Sequence, residues 1–437
     1  MAAEPLRAAL VSCGNRAQMF ARFCRERPDL IRIVSVSEPQ DDWREAERER
    51  NQLSREVAFR SYEQQFASGA PKADVAIVAS NDRTHYGATI AALGAGCNVL
   101  LEKPVAHDPV LTAHMALAAE KAGRQIAVQH ELRYTPFFQR IHEIVRSGRI
   151  GQVYSYTHTE HVEFWHMAHS FVRGNWNNAD EETPMILAKC CHDLDLMPWI
   201  LGDEVTRVSS FGRLDHFVRA NKPAGAPERC TDGCPVQDEC IYDAESFYLG
   251  PNTGWPVAMI GTDMSLEGRR KRLAESKYGR CVYNGHNNVV DHQSVMMETR
   301  RGTICTLTMQ GFSIGEECGR KIRLDGTRGT LRGNMERGLI QVYTHWHGPV
   351  GTKAEPETID LTKAGLDGHG GGDERLFDDV IRSFRDGGEA PLTPIADSVE
   401  SHLLAWAAED ARLNGRVVDM DDFRRQVAEK ARAMMDT

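Results

Sequence analysis

The chain has 437 residues and a formal net charge of −10, and 41% of its residues are hydrophobic and 26% charged. This length is typical of two or three domains, the composition is that of a soluble globular enzyme, and the acidic excess argues against general nucleic-acid binding. Because no apolar run is long enough for a membrane helix or a secretory signal, we expect a cytoplasmic protein with no membrane partner.

The N-terminal part of the chain alternates short apolar strands with helical patterns. Such alternation predicts a parallel sheet covered by helices on both faces, that is, an α/β domain of the Rossmann type over about residues 1–128. The predicted strands are Arg7–Val11, Ile31–Val36, Asp74–Ala79, Cys97–Leu101 and Ile126–Gln129. The predicted helices are Gln18–Arg27, Asp41–Glu56, Thr84–Leu93 and Leu111–Ala122.

From about residue 129 the pattern changes to a series of alternating strands separated by turns that contain glycine. We therefore predict that residues 129–437 form an α+β domain on a largely antiparallel open sheet, with a Cys-, Gly- and Pro-rich insertion over about residues 215–287. The predicted strands are Val153–His161, Val295–Arg300, Thr303–Gly311, Lys321–Leu324, Gly329–Asn334 and Leu339–Tyr343. Helices are predicted at Glu374–Arg385 and Ser398–Asn414, and the last helical segment is expected to pack back on the first domain.

The first predicted strand runs into the turn Ser12-Cys13-Gly14-Asn15-Arg16-Ala17. In a dinucleotide-binding turn the pattern is G-x-G-x-x-G, whose glycines allow a tight turn and close approach of the backbone to a pyrophosphate. Ser and Ala replace the first and third glycines here, so the turn alone is also compatible with any strand-to-helix turn that contains one glycine. The candidate cofactor-binding residues of this turn are Ser12, Gly14, Asn15 and Arg16.

An acidic residue, Glu38, follows the second predicted strand, about 20 residues after the turn. A carboxylate at this spacing holds the ribose hydroxyls of NAD and repels the 2′-phosphate of NADP. NAD is therefore the predicted cofactor, and Arg16 is the residue that would bind a 2′-phosphate in the alternative case.

Two further segments lie at predicted strand ends, where ligands of open α/β sheets bind. One carries Ser80, Asn81 and His85, and the other reads Glu102-Lys103-Pro104. Together with Arg133-Tyr134-x-Pro136 and Lys189-Cys190-Cys191-His192-Asp193-Leu194-Asp195, these motifs resemble the Gfo/Idh/MocA family over essentially the whole chain. The resemblance implies that the side chains at both strand ends contact the dinucleotide, namely Ser80, Asn81, His85, Glu102, Lys103 and Pro104.

The same resemblance implies hydride transfer between a nicotinamide and a hydroxyl carbon of a sugar, glycoside or cyclitol. This reaction needs a group that takes the hydroxyl proton, and we expect Lys103, with a pKa lowered beside the charged nicotinamide, to serve together with His192. His192 is alternatively a structural hydrogen-bonding histidine. Position 188 is Ala where many family members carry an Asp, so Lys189 is a third candidate catalytic residue, as a second amine or an anion-binding group.

Candidate substrate-binding residues lie in residues 161–176, which are rich in aromatic, His, Arg and Asn side chains. Such residues stack on sugar rings and donate to hydroxyls, although a segment of buried aromatic residues is the alternative. His369, followed by three glycines, resembles the His-Gly-Gly turn of the NAD-dependent glycosidases of this superfamily, and is alternatively an exposed loop histidine. The residues assigned to substrate, three of them from the family motifs, are Arg133, Tyr134, His169, Arg173, Trp176, Asp193 and His369.

Three functions remain open from the sequence. The first is an NAD-dependent dehydrogenase acting on a sugar, glycoside or cyclitol, and the second is a redox-neutral NAD-dependent glycoside hydrolase. The third is a non-catalytic nucleotide-binding or regulatory protein, which the missing Asp favours and the presence of Lys103 and His192 opposes. The resemblance also implies a homo-oligomer, a dimer or tetramer, paired through the open face of the second sheet.

The chain contains 11 cysteines, an odd number that indicates thiols or metal ligands rather than a disulfide framework. Cys230, Cys234 and Cys240 lie within a polar stretch of eleven residues, and Cys281 is the candidate fourth ligand. Four thiolates suit a structural zinc ion, or less readily an iron–sulfur cluster. The spacing is not a standard zinc pattern, so unligated thiols are the alternative.

Overall fold

The computed structural model describes residues 4–67, 69–350, 355–364, 367–387 and 389–436. The strands of the first domain are β1 (Leu6–Val11), β2 (Ile31–Ser37), β3 (Ala58–Phe59), β4 (Val75–Val78), β5 (Asn98–Leu101) and β6 (Ile126–Val128). They form a parallel sheet in the order β3-β2-β1-β4-β5-β6, which is the strand order of the Rossmann fold. The predicted Rossmann-type domain is thus confirmed. The two-residue strand β3 is too short to leave a pattern in the sequence.

Five helices flank this sheet: α1 (Asn15–Glu26), α2 (Asp41–Arg50), α3 (Tyr62–Gln65), α4 (Asp82–Gly94) and α5 (Pro109–Ala122). The helix α5 shows how local sequence sets its bounds. The Asp108 side chain accepts from the backbone N–H groups of Val110 and Leu111, Pro109 opens the helix, and Gly123 ends it at a φ of 60°. The helix predicted at Asp41–Glu56 is shorter than expected and ends at Arg50.

The strands of the second domain are β7 (Val153–Glu163), β8 (Val205–Arg213), β9 (His292–Thr299), β10 (Ile304–Ser313), β11 (Gly319–Gly326), β12 (Gly329–Asn334), β13 (Leu339–Thr344), β14 (Glu357–Asp360) and β15 (Val418–Asp419). Their order is β14-β13-β12-β11-β7-β10-β9-β8-β15. The central pair β7 and β10 is parallel and the other described neighbours are antiparallel, which confirms the largely antiparallel sheet.

The helices that follow the first domain are α6 (Pro136–Arg146), α7 (Phe164–His166), α8 (Met185–Leu201), α9 (Ala244–Tyr248), α10 (Leu266–Glu275), α11 (Asp367–Asp386), α12 (Ile395–Asn414) and α13 (Met420–Met435), with a π-helical turn over Met167–Arg173 after α7. The helices α6, α8 and α12 cover one face of the sheet, where Phe138, Leu194 and Leu404 belong to the same buried cluster as Leu307. The opposite face is open and exposes Phe211, Met296 and Ile304. Pairing of two chains through this face remains a prediction.

The C-terminal part of the chain returns to the first domain. Leu376 and Phe377 of α11 are buried in the same cluster as Phe20 and Phe23 of α1, and the Phe23 and Phe377 rings lie 5.3 Å apart. The helix α13 packs on α5. The expected return of the last helices is therefore confirmed, and it places residues of α11 beside the cofactor-binding turn. No helix in the described ranges is long and apolar enough to span a membrane.

Candidate active site

The turn after β1 has the geometry of a dinucleotide-binding turn. Ser12 adopts a φ of 80°, the left-handed conformation that the first glycine of the pattern normally supplies. Gly14 has an ordinary φ of −69°, and a Cβ built there would meet nothing closer than the Ser12 Oγ at 3.7 Å. Neither conformation nor packing requires glycine at position 14, so close approach of a ligand is the remaining reason for it.

The helix α1 begins at Asn15 without a side-chain cap and without an acidic residue in its first turn. Its N–H groups are thus left to bind an anion such as a pyrophosphate. Glu38 lies at the mouth of the same turn, where its carboxylate accepts from the backbone N–H groups of Cys13 and Gln40, each at 3.1 Å. This donor and acceptor set fits a dinucleotide whose ribose is held by Glu38.

Arg16 is paired with acidic residues of the protein. Its guanidinium pairs with Glu102 after β5 and with Asp373 of α11, whose Oδ1 lies 2.7 Å from Nη2. Because two carboxylates hold Arg16, it is a poor candidate for a 2′-phosphate ligand. The geometry agrees with the expected preference for NAD.

The residues after β4 and β5 meet at the carboxyl edge of the sheet. His85 joins them, since its Nδ1 lies 2.7 Å from the Pro104 carbonyl and its Nε2 lies 2.9 Å from the Ser80 carbonyl. Asn81 occupies the N-cap position of α4 without a side-chain capping bond, and its side-chain oxygen accepts from Asn175 of the second domain at 3.5 Å. His85 therefore positions this edge, whereas Ser80 and Asn81 lie on its surface.

Lys103 is partly buried at the end of β5, and its Nζ donates to the Ala188 carbonyl of α8 at 3.2 Å. Burial lowers the pKa of Lys103, but Cys191, Glu102, Glu131 and Asp82 outweigh it and leave the pKa above its usual value. The lowered pKa expected from the sequence is not found in the protein itself, because carboxyl groups surround the amine. Lys103 is accordingly an ammonium group that can donate to a substrate hydroxyl.

His192 faces this lysine from α8. Burial, helped by Lys103 and His130, holds the pKa of His192 well below its usual value, so the imidazole is neutral. Its Nε2 lies 3.5 Å from Glu131 Oε1, and its buried Nδ1 has no hydrogen-bond partner among the described residues. A neutral imidazole with one free nitrogen can accept a proton.

Glu131 and Asp373 are the site residues that the sequence reasoning missed. Glu131 follows β6 and is almost fully buried, and burial raises its pKa. Its Oε1 lies 3.6 Å from His369 Nδ1, and Asp373 Oδ2 lies 2.9 Å from the same nitrogen. The position of Glu131 just beyond a strand end was the available signal, whereas nothing in the sequence indicated that Asp373 would meet Arg16.

His369 is about half exposed and has a φ of 43°. Its nitrogen and the carboxylates of Glu131 and Asp373 place three ligand atoms within 4.8 Å of one another. Arg16 and Gln129 already donate to Asp373, at 2.7 and 2.9 Å, so this carboxylate has protein partners and needs no metal ion. We interpret His369, Glu131 and Asp373 as titratable groups that continue from His192 toward the surface, and not as a metal site.

Two of the predicted site residues on α8 belong to a separate buried network. Asp193 pairs with Arg320 at 2.7 Å and with His158 at 2.8 Å. Lys189 Nζ lies 3.2 Å from Glu160, which also pairs with Arg320. The substrate role expected of Asp193 does not fit this geometry, because its carboxylate is fully buried by protein partners.

The side chains of Arg133 and Tyr134 likewise bond to other side chains of the protein. Arg133 forms a two-point ion pair with Asp195, at 2.7 and 2.8 Å, and also pairs with Asp397 at 3.1 Å. The Tyr134 hydroxyl donates to Asp379 of α11 at 2.8 Å. Both side chains are buried, and these contacts join the start of the second domain to its last helices instead of facing the Lys103 amine.

The three candidates from residues 161–176 have different surroundings. His169 is buried, its Nδ1 lies 2.8 Å from the Tyr248 hydroxyl, and burial lowers its pKa to about 3. Trp176 donates to Asp82 at the start of α4 at 3.1 Å, so it joins the two domains beside the β4 end. Arg173 donates to the backbone carbonyl of Tyr242 at 2.6 Å and does not face Lys103 or His192 among its described contacts.

Two family models cover most of the chain. The model described as "Oxidoreductase family, NAD-binding Rossmann fold" matches residues 6–130, and "Oxidoreductase family, C-terminal alpha/beta domain" matches residues 142–420. The oxidoreductase YteT of Bacillus subtilis (strain 168) is 26% identical over 327 residues, which cover 71% of this chain and 72% of YteT. D-glucoside 3-dehydrogenase of Escherichia coli (strain K12) is 32% identical over 157 residues, 35% of this chain and 43% of that protein.

The fold also matches solved structures. An oxidoreductase from Agrobacterium radiobacter in complex with NAD⁺, L-tartaric acid and magnesium superposes with a TM-score of 0.65 over 95% of this chain and 99% of that one, at 16% identity. At this identity the match concerns the fold alone. The two domain matches, taken with the cofactor turn and the strand-end residues, show that the chain is a member of the Gfo/Idh/MocA family of NAD-binding oxidoreductases.

Proposed function

We propose that the protein is an NAD-dependent dehydrogenase that oxidises a hydroxyl carbon of a sugar, glycoside or cyclitol. The observation that carries the proposal is that Lys103, at the carboxyl end of β5, donates to the Ala188 carbonyl of α8, one helical turn before the buried His192, whose Nδ1 has no hydrogen-bond partner among the described residues. One group donates to the substrate oxygen and the other accepts its proton, as oxidation of an alcohol requires. Relatives named as a D-glucoside 3-dehydrogenase and as inositol 2-dehydrogenases support this substrate class.

The turn after β1 is the proposed cofactor site. The α1 N-terminus and Gly14 would hold the pyrophosphate, Glu38 the ribose diol, and Ser80 and Asn81 the face near the nicotinamide. NAD bound there supplies the hydride acceptor. The residues of the chain would position the reacting carbon of the substrate beside the nicotinamide.

The protein provides a route for the hydroxyl proton. Lys103 would orient the hydroxyl, and the unpartnered Nδ1 of His192 would accept its proton. The positive charge on His192 is then stabilised by Glu131 at 3.5 Å, and His369, 3.6 Å from the same carboxylate, opens to solvent. Lys189, paired with Glu160, is a proposed auxiliary group and not the proton acceptor.

A redox-neutral glycosidase is the second candidate, and His369 favours it. Oxidation at C3 of a glycoside acidifies the C2 hydrogen, whose removal expels the aglycone from C1, and water addition with return of the hydride restores NAD. Such a cycle needs several proton transfers, and the Glu131–His369–Asp373 group adds acid and base positions beyond Lys103 and His192.

The decisive experiment incubates the protein with NAD and a panel of free sugars, cyclitols and aryl glycosides in D₂O. A dehydrogenase forms one NADH for each substrate oxidised and leaves glycosidic bonds intact. Release of aglycone without net NADH, with deuterium at C2, would replace the first proposal by the second. Tight NAD binding without either reaction on any substrate would favour the non-catalytic, nucleotide-binding alternative.

Cofactor choice is tested separately by calorimetry of the protein freed of nucleotide. We expect NAD to bind at least about tenfold more tightly than NADP, because Glu38 bonds the diol and repels a phosphate. Equal or tighter binding of NADP would contradict the assignment of Glu38. The cytoplasmic location and the homo-oligomer remain predictions.

A further inference from the structure

The insertion between β8 and β9 has only a small buried cluster of its own. That cluster consists of Cys230, Ala244, Tyr248, Val257, Ile260 and Leu273, whereas the buried Phe217, Tyr242, Val282 and Tyr283 of the insertion belong to the main core of the second domain. Its helices α9 and α10 contain 5 and 10 residues, and short 3-10 turns and loops make up most of the remainder. A loop-rich unit with so small a core commonly depends on a covalent or metal staple.

Four cysteines of the insertion line one cavity of about 20 Å³. They are Cys230, Cys234, Cys240 and Cys281, and all four are free thiols. A cavity of this volume has room for one water-sized body, which is also the size of a single metal ion. Thiolate sulfur is the preferred ligand of structural zinc.

The backbone brings distant parts of the insertion together at this cavity. Arg229 and Arg280 form an antiparallel bridge, so the adjoining residues Cys230 and Cys281 lie on neighbouring segments although 51 positions separate them. The Cys281 N–H also donates to the Glu228 carbonyl at 3.0 Å. The fourth cysteine is therefore placed beside the first by the fold and not by sequence spacing.

Arg173 gives an independent indication of a negatively charged ligand. Its side chain is buried, and its Nη2 lies 3.6 Å from Cys230 Sγ. Its other contacts are the carbonyls of Tyr242 and Arg280, and it has no ion pair with any carboxylate of the described residues. Asp243 lines the same cavity, but its carboxylate accepts from the Ser246 N–H and not from Arg173. A buried guanidinium without a directly paired anion is costly, whereas four thiolates around a divalent ion carry a net charge of about −2.

We propose that these four cysteines bind one zinc ion as a closed structural site whose net negative charge is balanced by Arg173. The four thiols release their protons on binding, and the ion changes neither oxidation state nor partner during turnover. The cysteine sulfurs are not gathered within 4.8 Å of one another as a set of three in the described chain. Binding therefore draws them inward by side-chain rotation, toward a Zn–S distance of about 2.3 Å.

The position of Arg173 suggests what the ion does for the rest of the molecule. Arg173 ends the π-helical turn that also carries His169, and His169 contacts Tyr248 of the insertion. Asn175 and Trp176, which follow Arg173 and Gly174, donate to Asn81 and Asp82 just beyond the end of β4, so this segment adjoins the candidate active site. A metal site at Arg173 would hold this segment beside the candidate active site without taking part in the chemistry.

The test is elemental analysis of the full chain purified without added metal and without a metal-affinity column. We expect about one zinc per chain. Cys234→Ser and Cys281→Ser should each lose more than about half of it, whereas Cys318→Ser, a partly exposed cysteine outside the insertion, should keep it.

A second measurement covers variants that fail to fold. A chelator added to the wild-type protein should release zinc together with four newly reactive thiols and lower the Tm, and added zinc should restore it. Absence of metal with four thiols already reactive in the native protein would overturn the site. Iron with acid-labile sulfide in equal amount would overturn the single-ion assignment in favour of a cluster. Metal content is measured without any turnover, so a result that contradicts the zinc site is distinguishable from one that contradicts the proposed dehydrogenase.

Discussion

Two groups of polar residues meet at α8, and they differ in how their buried polar atoms are paired. In the first group Asp193 lies within 2.8 Å of both Arg320 and His158, and Lys189 pairs with Glu160. In the second group His192 has a free, buried Nδ1. Glu131, 3.5 Å from His192, likewise has a buried oxygen without a partner in the described residues.

This difference separates charges that hold the fold from charges that are available to a ligand. In the first group His158 Nε2 and Glu160 Oε2 form no hydrogen bond of ordinary geometry, but each lies within 3.1 Å of an ionic partner. Buried polar atoms are almost always paired, so the His192 Nδ1, which has no such partner among the described residues, is the atom available to a ligand. Residues of both kinds stand within seven positions of α8, from Lys189 to Asp195. Their roles follow from the side chains they face and not from their shared motif.

The largest expected effect comes from removing one of two lysines, Lys103 beside the second group or Lys189 within the first. Lys103→Ala should lower kcat by a factor on the order of 10²–10⁴, because Lys103 donates to the reacting hydroxyl. Lys189→Ala removes an amine that Glu160 already pairs, and should lower kcat less than about tenfold. Steady-state kinetics with NAD and an active substrate measure both. A larger loss in Lys189→Ala would move that residue into the catalytic group.

The second prediction concerns stability. Arg320→Met leaves Asp193 and Glu160 buried without their shared cation, and should destabilise the protein by about 3–5 kcal/mol. Arg323→Met, on the same strand β11, removes an exposed pair with Asp325 and should cost about 0–1 kcal/mol. Denaturant unfolding of the two variants gives the comparison. Equal stabilities would show that the buried network contributes nothing to the fold.

A third prediction uses two neighbouring positions of the cofactor turn. Gly14→Ala should leave the Tm nearly unchanged, since its Cβ has room, but should weaken NAD binding at least about tenfold. Ser12→Gly should leave NAD binding unweakened and stabilise the fold by about 0.5–1 kcal/mol, because glycine adopts the φ of 80° without strain. Thermal unfolding and NAD titration distinguish these results. Unchanged NAD affinity in Gly14→Ala would remove the argument for the pyrophosphate position.

The smallest expected effect is a shift in the acid limb of the pH profile of kcat/KM. His192 must be neutral to accept a proton, and burial with Lys103 and His130 depresses its pKa, so protonation sets in only below the usual value of 6.5. The acid limb of kcat/KM for oxidation should therefore lie below pH 6.5, with activity constant from there through neutral pH. Glu131→Gln should shift this limb, whereas Glu204→Gln, at an exposed site on the second domain, should not. A limb at or above pH 6.5 in the wild type would assign the base to another group.

The sequence predicted the first domain closely because each of its elements carries a local signal. Alternating apolar strands and helices, the Gly14 turn and the residues after β5 all lie within short windows. The second domain was predicted in outline only, since β15 has two residues and β8 pairs with β9 across the insertion of nearly 80 residues.

The candidate site was predicted where one motif supplies it, and less well where distant segments meet. Lys103 and His192 were assigned through motifs, and their catalytic roles remain proposals. Arg133 and Asp193 were assigned to substrate because a motif gives residue types and not partners, and their partners Asp397 and Arg320 stand more than 100 positions away. Asp373 was missed for the same reason, because it reaches Arg16 only after the chain has returned to the first domain.

That return has a consequence for synthesis of the chain. The apolar side chains Phe20 and Phe23 of α1 are covered by Leu376 and Phe377, which leave the ribosome some 350 residues later. Until then the nucleotide-binding domain carries an uncovered apolar patch, and chaperones or a second nascent chain can bind it. We expect a truncated chain that ends after β6 to keep all six parallel strands and still aggregate, because it lacks the helix α11, which covers this patch and lies more than 200 residues further along the chain.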